Sequence, residues 1–112
     1  MNGLNKVTLI GNLGKDPELT KLTSGGQVAK FSMATNTSYK DKEGKSQTST
    51  EWHQVVAWSH LAELAHQYLR KGSPLYMEGH LKNRSYEGKD GKTQYVTEIV
   101  ADQFLLLDKP SQ

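Results

Sequence analysis

The chain contains no cysteine, which excludes disulfides and thiolate metal sites. No apolar run approaches the roughly 20 residues that span a bilayer as a helix. The opening residues, Met-Asn-Gly-Leu-Asn-Lys, lack the apolar core of a secretion signal. A cytosolic protein is therefore expected. A strong excess of one charge is also missing. The 14 Lys and Arg face 12 Asp and Glu, for a net charge of +2. Such a balance permits an anionic partner without requiring one. His60 and His66 are six residues apart, so on a helix they occupy different faces and do not pair as metal ligands. No cofactor is expected. The hydrophobic fraction is only 35% of 112 residues. That is enough for one modest core, with loops projecting into solvent or an oligomer supplying the rest.

What is present is organised around Glu51–Trp58. β-branched and aromatic residues dominate this stretch, and it holds neither Gly nor Pro, as in a β-strand. Alternation places Trp52, Gln54, Val56 and Trp58 on one face and His53, Val55 and Ala57 on the other. At strand rise the two indoles stand roughly 20 Å apart along one face. They form either part of a core or subunit interface, the usual fate of Trp, or a platform for stacking bases.

Around this strand the chain reads mostly as β structure. Asn5–Leu13 alternates Val7, Leu9, Gly11 and Leu13 against Lys6, Thr8, Ile10 and Asn12, with Gly11 and Gly14 suggesting a tight bend. Asp16-Pro17 marks a turn, a short strand follows over Glu18–Leu22, and Ser24-Gly25-Gly26 turns again. In Val28–Thr37, Ala29, Phe31 and Met33 oppose Lys30, Ser32 and Ala34. Ser38–Thr50 has no apolar periodicity and reads as a lysine-bearing finger with Tyr39 at its base. Ser59 is placed to cap a helix on which Leu61, Leu64, Ala65, Tyr68 and Leu69 form one stripe. Gly72 then lies just past the end of a helix of about three turns. A strand over Leu75–Lys82 leads into a second finger, Asn83–Lys92, with an Asp90-Gly91 hairpin signal. Thr93–Leu107 closes the chain as a long strand.

Five main strands with one helix between the third and fourth predict an all-β protein, an OB-fold barrel carrying long hairpin fingers. Such barrels often bind oligonucleotides on the face of strands two and three, where Trp52, Trp58 and Lys30 fall. Residues 1–107 are expected to form this single domain, with 108–112 a short polar end.

The chain resembles bacterial single-stranded DNA-binding proteins over residues 4–107. The matching stretches include Gly11-Asn12-Leu13-Gly14-Lys15-Asp16-Pro17-Glu18, Glu51-Trp52-His53, Tyr68-Leu69-Arg70-Lys71-Gly72-Ser73 and Tyr76-Met77-Glu78-Gly79-His80-Leu81. The resemblance implies sequence-tolerant binding and protection of single-stranded DNA in replication, repair and recombination. It implies a homotetramer, a nucleoid-associated location in the cytoplasm and no enzymatic activity. Trp52 and Trp58 match base-stacking positions, the second more often Phe in relatives. Tyr39 and Tyr86 match aromatic positions that are often Trp. Lys42, Lys71, Lys82 and Arg84 match basic positions near the phosphate path. His53 and Tyr76 match subunit-contact positions, although strand parity groups His53 with the inward Val55.

The chain also departs from the family pattern. Gln54, Ser85 and Gln94 stand where relatives often carry Arg or Lys, so a weaker electrostatic contribution is expected. Relatives usually end in a flexible linker and an acidic tip that recruits partners, whereas this chain stops at Gln112. Either a truncated chain or a short paralogue explains that, and tail-dependent partners are not expected. The alternatives are an RNA-binding or primosomal OB-fold, separated by RNA competition, and a nuclease. A nuclease needs clustered carboxylates for a metal, whereas Asp41, Glu43, Glu87 and Asp90 are interspersed with Lys on the fingers.

Overall fold

The computed structural model describes residues 1–107, so the expected polar end over 108–112 lies outside the described residues. Six strands and one helix follow in order: β1 (Val7–Leu13), β2 (Glu18–Lys21), β3 (Gln27–Lys40), β4 (Ser46–Trp58), α1 (His60–Tyr68), β5 (Pro74–Glu87) and β6 (Thr93–Leu106). The hydrogen-bonded order is β1-β5-β6-β4-β3-β2, and β1 also pairs with β3. That last pairing brings β1 back onto β3 and closes the sheet. Five strands thus make a closed OB-fold barrel, with β2 appended to β3 and the helix between the third and fourth barrel strands.

Strand alternation decides what enters the barrel. Leu13, Ala29, Phe31, Met33, Val55, Ala57, Leu75, Met77, Ile99 and Ala101 are buried in one cluster, capped by Ala62, Ala65 and Leu69 from the helix region. Met33 and Met77 are wholly buried. Gly11 marks the seam. A Cβ built there would lie 2.2 Å from the Ala34 carbonyl oxygen, because β1 crosses β3 at that point. Gly79 does the same for the other wall, with a Cβ 2.3 Å from the Val100 oxygen. Glu78 pairs with Gln103 and Gly79 with Ala101, so Asp102 is an extra residue that bends β6.

The fingers are more regular than their polar sequences suggest. β3 and β4 pair without a break out to Lys40 and Ser46, and β5 and β6 out to Glu87 and Thr93. The β4–β6 contact is parallel, and both strands start at a finger tip. Both fingers therefore leave the barrel at the same end. One turn design serves three hairpins. In each, the first residue's N–H donates to the carbonyl four residues on, and its carbonyl accepts from a Gly three residues on. Those glycines, Gly25, Gly44 and Gly91, have φ of 96°, 82° and 78°, which few other residues tolerate. In the first finger Asp41 reinforces the turn. Its Oδ1 accepts the N–H groups of Glu43 and Lys45, each at 2.9 Å. The Lys45 amide, ahead of the other contacts, holds the Asp41 carboxyl below its ordinary pKa.

The helix differs from its sequence reading at both ends. Leu69 belongs to the apolar stripe and is fully buried, but its backbone is extended (φ −95°, ψ 142°), so the helix stops at Tyr68. Gly72 is instead the third residue of a tight turn in which the Ser73 N–H donates to Arg70 O at 2.9 Å. Its φ of 87° suits a type II turn rather than a helix terminus. Ser59 sits at the N-cap, but its side chain makes no capping bond. Its backbone does the work, with N–H donating to Gln27 O and carbonyl accepting from Glu63 N–H. This holds Ser59 at φ 54°, ψ −120°, a region suited to Gly. Ser59→Gly should relieve that strain, less the entropy that Gly adds to the unfolded chain. A net gain of about 1 kcal/mol, seen as a melting temperature several degrees higher, is expected. A lower melting temperature would contradict the strain argument.

Candidate nucleic-acid interface

The outward side of β4 carries both tryptophans. Trp52 is 57% exposed and Trp58 48% exposed, while Val55 and Ala57 on the other parity are buried. Sealing inside the core is thereby excluded for both indoles. Val56, between them in parity, is nevertheless buried. Trp52 has a built seat. A Cβ on Gly14 would lie 2.5 Å from Cζ3 of Trp52 and 3.0 Å from Cη2, so the indole rests against bare backbone. Gly14 is itself tied to β3 by its N–H, which donates to Ser32 O at 3.0 Å. The glycine that the sequence suggested as a bend thus backs an aromatic platform. The signal for that role was not available, since Gly14 and Trp52 are far apart in the chain.

Beside Trp52 lies an open groove of about 490 Å³, bordered by Gly14, Lys15, Asp16, Lys30, Ser32 and Gln54. Lysines and carboxylates both reach it, so it offers stacking and hydrogen bonding more than net charge. Asp16 is partly committed, accepting the Lys71 N–H at 2.7 Å. That bond brings Lys71, in the turn after the helix, to the groove's end. Lys15 was not singled out by the sequence pattern and stands exposed at the same groove.

The remaining predicted residues are distributed along the fingers. Tyr39, expected at the base of the first finger, instead stands next to its tip, 53% exposed and one residue before the end of β3, because the ladder runs out to Lys40 and Ser46. It pairs with Gln47 and shares parity with Thr35 and His53, opposite to that of Trp52. With Ser38, Lys40 and Ser46 it borders a second open hollow of about 320 Å³. Lys42 is exposed in the finger's turn. On the second finger Lys82, Arg84 and Tyr86 share one face of β5, and Tyr86 is 48% exposed. Arg84 is already engaged, with Nε donating to Glu98 Oε1 at 2.8 Å. Tyr95, also on the second finger, is 79% exposed and lies on the opposite face from Tyr86. Its place within an alternating strand gives no sequence signal for a binding role.

The two expected subunit-contact residues lie apart from these. His53 is half-buried, with Nε2 2.9 Å from Thr35 Oγ1 across the β3–β4 ladder. Tyr76 lies in a row across three strands, Ile10–Tyr76–Leu105. Ile10 and Leu105 are well exposed there. The Tyr76 hydroxyl donates to Glu78 Oε2 at 2.6 Å, which raises its own pKa and, with Lys6 adding to the effect, lowers that of Glu78. Among the described residues no cluster of three His, Cys, Asp or Glu is arranged to hold a metal ion. No helix among them is long and apolar enough to cross a membrane.

Comparison with known proteins adds a family to this geometry. The model of the Single-strand binding protein family matches residues 4–107. The chain is 48% identical over 106 residues to Single-stranded DNA-binding protein 1 of Chlorobaculum tepidum, covering 94% of this chain and 65% of that protein. It is 49% identical over 106 residues to the Single-stranded DNA-binding protein of Xylella fastidiosa, covering 94% and 64%. The chain thus spans less than two thirds of the length of these relatives. Among solved structures it is similar to the Plasmodium falciparum SSB complex with ssDNA. The TM-score is 0.85 at 34% identity, covering 96% of this chain and 98% of that one.

Proposed function

Because the chain belongs to the single-strand binding protein family, we propose that it coats single-stranded DNA without reading its sequence. The observation that carries this is the pair of half-exposed indoles on one face of β4, one of them seated on Gly14. Aromatic faces stack unpaired bases, at roughly 1–3 kcal/mol per base, and every base has such a face. A duplex keeps its bases stacked on each other, so the indoles select for single strands. Lys42, Lys71 and Lys82, with Lys15 at the groove, supply phosphate contacts whose counterion release makes affinity fall as salt rises. Tyr39 and Tyr86 extend the stacking path onto the fingers. The activity is binding, not catalysis, in keeping with the family's description.

Titration with oligo(dT) is expected to quench tryptophan emission strongly, and duplex of equal length to compete poorly. Unchanged emission at saturation would remove Trp52 and Trp58 from the site. A matched RNA strand that out-competes DNA would transfer the proposal to RNA, since such a reader uses the 2′-hydroxyl.

Residues 1–107 act, in this reading, as one binding domain that serves replication, repair and recombination at the nucleoid. It works as a homotetramer. The outward row Ile10–Tyr76–Leu105 supports assembly, because two exposed aliphatic side chains flanking a tyrosine ring gain by being covered. His53 is the second proposed contact. Light scattering at micromolar protein should give four times the mass of the 12.5 kDa chain. A monomer mass would refute the assembly while leaving the DNA interface intact.

A further inference from the structure

We propose that Arg84 is a positioning residue for Tyr86, clamped by Glu98, and that it neutralises no phosphate. The inference rests on the single-stranded DNA reading above and assigns one of its basic residues a different task. Arg84 meets the Glu98 carboxylate at two points, Nε to Oε1 at 2.8 Å and Nη2 to Oε2 at 3.4 Å. The Glu98 side chain is only 15% exposed. Its carboxylate therefore depends on the guanidinium for its compensation, and removing that partner would leave a poorly solvated charge alone. Glu98 takes two of the five guanidinium N–H groups and balances the charge, so a phosphate at the remaining ones would meet a neutral pair.

The same guanidinium stands over the Tyr86 ring, its central carbon 5.9 Å from the ring centroid. A cation at that distance is attracted to the π-face. Glu98 fixes the guanidinium from β6, and the guanidinium in turn covers one face of Tyr86 on β5. Tyr86 remains 48% exposed, which leaves ring surface to receive a base. The hydrogen bond to Glu98, followed by its charge, raises the pKa of Arg84.

Lys82 provides the internal contrast. It lies on the same face of β5 as Arg84 and directly across the ladder from Glu98. Among the described residues its ammonium makes no ion pair within 4.0 Å. Two neighbouring cations thus divide the work, one on phosphate and one on a ring.

The salt dependence of oligo(dT) binding separates the roles, read as the slope of log affinity against log salt. Lys82→Gln should flatten that slope by about 0.7 per engaged copy, the value for one lost single-strand phosphate contact. Arg84→Gln should weaken binding about two- to fivefold at every salt concentration, with the slope unchanged. Glu98→Gln keeps the shape but releases the charge, so the slope should steepen by about 0.7. A flatter slope for Arg84→Gln overturns the proposal, as does an unaltered slope for Glu98→Gln. If Glu98→Gln fails to fold by circular dichroism, Arg84→Met decides, because its apolar stem still covers the ring. An unchanged slope supports the clamp and a flatter one overturns it. Wild-type protein that does not bind oligo(dT) at all would overturn the parent reading with it. Wild-type binding with Arg84 behaving as Lys82 does would overturn the clamp alone.

Discussion

Gly11→Ala is expected to destabilise the protein by about 3 kcal/mol or more, at or beyond the upper end of ordinary overpacking costs. The added Cβ would meet the Ala34 carbonyl oxygen at 2.2 Å and the carbonyl carbon at 3.1 Å. Both are backbone atoms in the ladder that closes the barrel, so no side-chain rotation makes room. Either β1 or β3 must shift, and the seam opens. Small domains have only about 5–15 kcal/mol to lose. Gly3→Ala is the control, since nothing lies within 4 Å of a Cβ there. Chemical denaturation of both variants checks the claim. A Gly11→Ala midpoint equal to that of Gly3→Ala would show that the crossing is looser than described.

Replacing Trp52 and Trp58 together by Ala should cost binding rather than stability. At roughly 1–3 kcal/mol per stacked base the pair contributes about 2–6 kcal/mol. Affinity for oligo(dT) should then fall by about 30-fold at least, and by more than 1,000-fold if both stacks are strong. Both side chains are about half exposed, so the barrel should survive their truncation. The double variant has lost its fluorescent reporter, so anisotropy of a labelled oligonucleotide is the measurement. Retained salt dependence alongside weakened binding would show that the lysines act independently of the indoles. Binding within threefold of wild type would mean that β4 is not the platform.

Much of this architecture was legible because strand alternation is a local code. Ala29, Phe31 and Met33 could be assigned inward, and Lys30 and Ser32 outward, from period two alone, and the structure agrees. The second finger is legible from its Asp90-Gly91 turn signal and the first from its lack of apolar periodicity, but the length of their ladders is not, since polar strands carry no burial signal. The helix end was misjudged for a related reason. Leu69 continues the apolar stripe because it is buried, and burial does not distinguish the last helical residue from the first extended one. Ser59 suits a side-chain cap by residue type, whereas the backbone bond to Gln27 sets its conformation. Contacts between distant residues left no mark at all. Gly14, just past β1, lies under Trp52 on β4, and Glu98 on β6 lies against Arg84 on β5; neither pairing follows from spacing along the chain.

The burial of Met33 and Met77 sets a chemical clock. Their thioethers sit where peroxide cannot reach without the barrel opening, while Met1 is fully exposed. Sulfoxide at Met1 therefore records only contact with oxidant. Sulfoxide at the two interior positions records how often the whole molecule breathes. Once formed there, it places a polar group among apolar neighbours and hinders reclosure, so oxidative damage to this protein should be self-reinforcing.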